Sequence, residues 1–199
     1  MKHQKALLIV DLQCDFLEKG ALPVPHSNQI IQPINQAQED FDLIIATQDW
    51  HPLNHKSFAI NHPHKKPFDT IPYRGYQQTL WPKHCIQGSP GARLSPKLNT
   101  NKIKIILRKG TNPLVDSYSA FFDNEKNHPT SLEPLLKAMN VKHLFLCGLA
   151  ADYCLYYTAL DAKSLQFNVY FLTQLTKPIS LNSYQQAIDH MKKEKIHVI

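Results

Sequence analysis

The sequence predicts an α/β three-layer sandwich, a mainly parallel sheet of roughly six strands with helices on both faces. Three observations carry this prediction. Short runs of near-continuous Ile, Leu, Val and Phe recur along the chain, segments with helical spacing of apolar residues lie between several of them, and the alternation extends through the 199 residues without an internal repeat. Strands covered on both faces read as continuous apolar runs rather than strict alternation. Right-handed crossovers then place the intervening helices on both faces.

The elements follow in order. A first strand is expected over residues 6–10, and a helix over 27–40 carries Ile30, Ile31 and Ile34 on one side. The second and third strands are expected over 43–46 and 103–107. Ser131 reads as the capping residue of a helix over 131–139 bearing Leu132, Leu135 and Leu136. The fourth strand, 143–147, runs into a helix over 152–164 with Leu155, Ala159 and Ala162 at helical spacing and Asp152 as its N-cap. A fifth strand over 169–173, a helix over 182–193 with Tyr184, Ala187, Ile188 and Met191, and a sixth strand over 196–199 complete a single domain, 1–199.

The exception is the stretch from 50 to 100, which has no convincing periodicity. It holds five of the 11 histidines, seven of the 14 prolines and both tryptophans, Trp50 and Trp81. A connection of that length inside a compact domain is usually functional or disordered, and aromatic content argues against disorder. It begins directly after a strand, so it lies at the carboxyl edge of the sheet, where ligands bind in open α/β folds.

Charge and composition exclude more than they assign. The formal charge is +6, but the 22 Lys and Arg residues are scattered, with no basic stripe interleaved with aromatics and no zinc-finger or RNP-like motif, so no nucleic-acid partner is expected. The apolar run at 6–10 is shorter than the roughly 7 to 15 residues of a secretory h-region or the roughly 20 of a membrane span. Cys14, Cys85, Cys147 and Cys154 show no C-x-x-C spacing. A cytoplasmic protein with free thiols and no membrane partner is expected.

Three strand ends carry polar residues: Asp11 after the first, Asp49 after the second and Lys109 after the third. In a parallel sheet these ends point the same way, so the three side chains share one rim. Cys154 falls in the first turn of the helix after the fourth strand, where the macrodipole favours a thiolate. Beside Asp11 and Lys109 it is a candidate nucleophile. The segment Asp49-Trp50-His51-Pro52, with the more distant His84, offers one carboxylate and two imidazoles, a set that suits Zn, Fe(II) or Mn with open positions. His55, Ser57, His62 and His64 lie close in sequence and could add a ligand.

These residues sit in longer matching segments: Asp11-Leu12-Gln13-Cys14-Asp15-Phe16, Gly20-Ala21-Leu22, Asp49-Trp50-His51-Pro52, Ser57-Phe58-Ala59, Trp81-Pro82-Lys83-His84-Cys85, Lys109-Gly110, Asp116-Ser117-Tyr118-Ser119-Ala120-Phe121 and Gly148-Leu149-Ala150-Ala151-Asp152-Tyr153-Cys154. Through them the sequence resembles the nicotinamidases of the isochorismatase-like cysteine hydrolases, nearly end to end. The resemblance implies that Cys154 is the nucleophile, Asp11 the general acid/base and Lys109 the third catalytic member. It implies one divalent metal ion, zinc foremost and Fe2+ or Mn2+ otherwise, on Asp49, His51 and His84, with His55 or Ser57 left open as a further ligand. It also implies a cis peptide before Ala150, an oxyanion hole from the amides of Ala150 and Cys154, and a substrate pocket walled by Phe16, Trp81, Tyr118 and Ala150. The implied activity is deamidation of nicotinamide, and of pyrazinamide, for NAD salvage.

The sequence departs from the family at Ala151, where Thr is usual, and over residues 111–115, which read as a variable loop. Cys14 and Cys85 are the other thiols nearest the site. Two further readings remain at this level: another superfamily member such as an isochorismatase or N-carbamoyl amidase, disfavoured by Cys154 and by the Asp49, His51, His84 set respectively, and a non-catalytic binding module. Monomer and homo-oligomer are both compatible with the sequence.

Overall fold

The computed structural model describes residues 4–199. Its sheet contains β1 (Lys5–Val10), β2 (Ile44–Asp49), β5 (Ile103–Lys109), β6 (His143–Leu149), β7 (Asn168–Lys177) and β8 (His197–Val198), in the spatial order β5-β2-β1-β6-β7-β8. Every neighbouring pair is parallel. All six expected strands are present. The fifth is longer than its apolar run, because β7 continues past a register shift opposite Leu146 and Gly148 as far as Lys177.

Central strands are buried on both faces and the edge is not. β2 is buried throughout, and β1 from Ala6 onward. β5, at the edge, alternates between half-buried and exposed residues, as a strand with one open flank does. Alternate residues of β1 feed two cores. Ala6, Leu8 and Val10 pack with α2 (Leu132–Ala138), α3 (Cys154–Ser164) and α4 (Leu181–Lys193), through residues such as Leu136, Leu155, Ala159, Ile188 and Met191. Leu7 and Ile9 face α1 (Ile31–Ala37) through Ile31 and Ile34. Each such side chain, taken from water, contributes about 1.5–3 kcal/mol.

Several boundaries and caps differ from expectation. The segment 27–40 is a short α-helix flanked by 3₁₀ turns at Ser27–Ile30 and Gln38–Asp40. Ser131 precedes α2 without a side-chain cap; Thr130 Oγ1 instead accepts the Leu132 amide at 3.1 Å. Asp152 does not cap α3, whose N-cap is Tyr153. Its carboxylate reaches across to the start of α4, accepting from the amides of Ile179 and Ser180 at 2.9 and 3.0 Å and from Ser183 Oγ at 2.5 Å.

The 50–100 connection is not wholly irregular. It contains a 3₁₀ turn at Ala59–Asn61 and an antiparallel hairpin of β3 (Thr70–Tyr73) and β4 (Tyr76–Thr79). Elsewhere isolated bridges hold it, His51 with Ile86 and Phe58 with Trp81 among them. No helix among the described residues is long and apolar enough to cross a membrane.

Candidate active site

The carboxyl ends of β1, β2 and β5 deliver Asp11, Asp49 and Lys109 to one rim, as expected. Lys109 Nζ lies 2.8 Å from Asp11 Oδ2, 2.5 Å from Asp49 Oδ1 and 3.5 Å from Cys154 Sγ, and it donates to the Ser117 carbonyl at 2.8 Å. Sγ and a carboxylate oxygen from each of Asp11 and Asp49 fall within 4.8 Å of one another. All four side chains are buried.

Cys154 arrives there by a tight approach of β6 to β1. Gly148 has φ +111, and a Cβ on it would fall 2.1 Å from Val10 O, so only glycine lets the two strands meet just before Asp11. The Leu149–Ala150 peptide that follows is cis, as the resemblance implied. Tyr153 and Leu155 donate to Ala150 O, closing the turn at the head of α3. Among the described residues, the amides of Ala150 and Cys154 donate to no backbone carbonyl.

Burial and neighbouring charge set the protonation states. Burial pushes the Cys154 thiol well up; Lys109 opposes this, while Asp11 and Asp49 reinforce it. Burial, the largest effect, thus works against the thiolate that the helix terminus and Lys109 favour, and the two buried carboxylates add to it. Burial also raises Asp11, against the pull of Lys109. For Asp49 burial is outweighed by Lys109 and His51, which hold it well below the usual carboxylate range. Burial works against the charge on Lys109, but Asp11 and Asp49 keep it well above its ordinary value.

Asp49, His51 and His84 form the adjoining cluster, with ligand atoms within 4.8 Å of one another. His51 Nδ1 donates to Gly110 O and His84 Nδ1 to Pro82 O, each at 2.8 Å. Those bonds put the ring protons on Nδ1 and leave both Nε2 lone pairs facing Asp49 Oδ2, at 3.5 and 3.8 Å. Backbone carbonyls that fix the tautomer this way are what metal-binding imidazoles require. One carboxylate and two oriented imidazoles thus fit a divalent transition metal. Burial opposes a charge on His51, but Asp49 raises it overall.

The segment bearing His84 is tied down by residues that spacing did not single out for this role. Asp15 Oδ2 accepts the Cys85 amide at 2.7 Å, and the His51 amide donates to Cys85 O at 2.9 Å. Gln13 grips Asp49 from both sides, Oε1 accepting its amide and Nε2 donating to its carbonyl, each at 2.8 Å.

His55 and Ser57 are hydrogen-bonded to each other beside His51, the ring centroids of His51 and His55 being 4.4 Å apart. The Ser57 amide donates to His55 Nδ1 at 3.2 Å, with the Ser57 hydroxyl 2.7 Å from the same nitrogen. The ring proton of His55 is therefore on Nε2. His55 lies on the flank of His51 together with Asp116, and burial, with His51 second, lowers it to about 4.

Phe16, Trp81, Tyr118 and Ala150 line one small cavity together with Asp49, His84 and Cys154. Trp81 meets Tyr153 edge-on at 4.9 Å, and Tyr118 meets both rings. Sequence reasoning missed Leu22, Asp116, Tyr153 and Ile179 as lining residues. Adjacency to Cys154 could have flagged Tyr153; nothing local marks Ile179, which follows β7. Cys14 and Cys85 remain thiols whose ionisation burial opposes. Ala151 packs in the apolar core with Phe121 and Leu155.

Known proteins match this chain over nearly all of its length. The family model described as the isochorismatase domain matches residues 5–199. A curated nicotinamidase of Acinetobacter baylyi is 43% identical over 187 residues, covering 94% of this chain and 87% of its own. A solved nicotinamidase/pyrazinamidase of Acinetobacter baumanii superposes with a TM-score of 0.97 at 40% identity, covering 100% of this chain and 97% of that one. A pyrazinamidase of Pyrococcus horikoshii, solved in complex with zinc, superposes with a TM-score of 0.81 at 34% identity, covering 98% of each chain.

Proposed function

The chain belongs to the isochorismatase family, and from that membership we infer that it hydrolyses the carboxamide of nicotinamide to nicotinic acid and ammonia, a step of NAD salvage. Pyrazinamide, a flat amide of the same shape, is a second substrate. One observation carries the reading: a buried thiol shares a single ammonium with two carboxylates beside an aromatic-lined cavity. We take residues 1–199 as one domain, with 50–100 as its metal- and substrate-binding connection.

The roles follow from the chemistry of the groups. Cys154 is the nucleophile. Burial favours its neutral thiol, and the proton passes to Asp11 as sulfur bonds to the amide carbon. Lys109, held charged by Asp11 and Asp49, steadies the developing thiolate and keeps both carboxylates in place. The amides of Ala150 and Cys154 receive the oxyanion, each worth about 3–4 kcal/mol in sites of this kind. Asp11 then gives its proton to the departing nitrogen, and ammonia leaves a thioester. Asp11 next accepts a proton from water, which attacks the thioester carbon and releases nicotinate and the thiol. Phe16, Trp81 and Tyr118 wall the flat ring and exclude water.

Asp49, His51 and His84 would hold the divalent ion, for which zinc is the proposed identity; bound there, it supplies a ligand position for the pyridine nitrogen and so fixes the ring's orientation. Four unpaired cysteines support a reducing, cytoplasmic setting.

Ammonia release from nicotinamide, measured with elemental analysis before and after chelation, tests the reading. Loss on chelation and recovery with zinc are expected; chelator-insensitive turnover would contradict the metal's role. Cys154→Ala should abolish turnover while retaining fold and metal, and substantial residual ammonia release would remove Cys154 as nucleophile.

A further inference from the structure

Thr47 is buried near the end of β2, and both hydrogen bonds of its hydroxyl go to one residue. Oγ1 donates to Asp11 Oδ1 at 2.6 Å and accepts the Asp11 amide at 3.1 Å. Asp11 leaves β1 with φ +48, a left-handed turn uncommon for a residue with a Cβ. That turn aims its amide at the Thr47 side chain and so closes a ring between Thr47 and Asp11.

A hydroxyl has one proton to give. Thr47 gives it to Oδ1, which leaves Oδ2 as the oxygen open to proton exchange. Oδ2 is buried, lies 2.8 Å from Lys109 Nζ and accepts no well-aligned hydrogen bond. We propose that Thr47 is a positioning residue for the amidase reaction: its hydroxyl assigns the proton traffic of Asp11 to Oδ2 and holds that oxygen toward Cys154. The inference rests on Asp11 being the acid/base of the proposed mechanism. In each half-reaction one proton moves onto Oδ2, from sulfur or from water, and later leaves it for nitrogen or sulfur. Thr47 keeps its own proton throughout.

Without the hydroxyl the carboxylate can rotate and present either oxygen, and the Asp11 amide loses its acceptor. The reacting groups are then misaligned, while the aromatic walls and the Asp49, His51, His84 cluster are untouched. The effect therefore belongs on kcat rather than on KM, and misplacement of a catalytic group by this kind of slack costs on the order of 10- to 100-fold.

The test compares Thr47→Val, Thr47→Ser and Asp11→Asn for nicotinamide turnover, with metal content and thermal midpoint measured on each. Val should lose roughly 10- to 100-fold in kcat with KM within about twofold of the parent. Ser, which restores the hydroxyl, should recover most of that loss. Thr47→Ala is read in the same way if Val lowers the yield of folded protein. A Val or Ala variant with kcat near the parent's overturns the proposal, as does a Ser variant as impaired as Val, which would show that any change at this position is harmful whether or not the hydroxyl is kept. Asp11→Asn separates the two levels: its retention of turnover would overturn the acid/base role itself, whereas an inactive Asp11→Asn beside an active Thr47→Val removes only Thr47.

Discussion

Lys109 Nζ lies 2.5 Å from Asp49 Oδ1, and the other oxygen of that carboxylate faces His51 and His84. Asp49 is therefore common to two clusters, one built around the thiol and one suited to a cation. A change at Asp49 or at Lys109 therefore reaches both clusters.

Replacing Lys109 exposes this coupling. Lys109→Met leaves Asp11 and Asp49 buried without their shared cation, and removing one partner of a buried ion pair costs about 3–5 kcal/mol. Chemical denaturation should show that loss together with loss of turnover. A variant as stable as the parent would mean that the carboxylates find other compensation.

Cys154 should alkylate slowly at neutral pH. Its raised pKa means the neutral thiol prevails below that value, and only the thiolate attacks iodoacetamide. Site-resolved mass spectrometry should find the rate still climbing between about pH 7 and 9, the ordinary thiol pKa being about 8.5. A plateau reached by neutral pH would instead indicate a resting thiolate.

Gly110 should tolerate no side chain. Its φ is +66, and a Cβ would fall 2.4 Å from His51 Cε1. Gly110→Ala is expected to cost about 1–2 kcal/mol from the left-handed backbone alone, and more as His51 is pushed off the Gly110 carbonyl. Weaker metal retention in a chelator competition should accompany the lower stability; unaltered retention would separate Gly110 from the orientation of His51.

Asp152→Ala should destabilise by about 1–3 kcal/mol, since the amides of Ile179 and Ser180 lose their acceptor. Ile179 lines the cavity, so KM for nicotinamide should rise as well. A change in stability with KM untouched would confine Asp152 to holding α4.

Much of this was legible in the sequence because parallel strands are buried on both faces and announce themselves as unbroken apolar runs. Once Asp11, Asp49 and Lys109 are at the ends of such strands, a common rim follows. Burial was harder to foresee. The same helix start that favours a thiolate sits here among two carboxylates, and no local pattern reports that crowding. Caps are hidden for a related reason: Asp152 is close in sequence to α3 but bonds a segment 27 residues on. Nothing in the sequence marks Thr47, and only the turn of Asp11 gives its hydroxyl a task.

The division between sheet and connection bears on how such a protein changes over generations. Asp11, Lys109 and Cys154 are anchored at the ends or starts of regular elements, whereas Trp81 and His84 belong to the 50–100 connection, held by side-chain clasps and isolated bridges. The scaffold holds the groups that break the bond, while Trp81 and His84, two of the groups that meet the ring, are carried by a connection, the kind of segment that tolerates insertion and replacement more readily. A new substrate is thus reached most directly by rewriting the connection while the scaffold goes on breaking the same kind of bond.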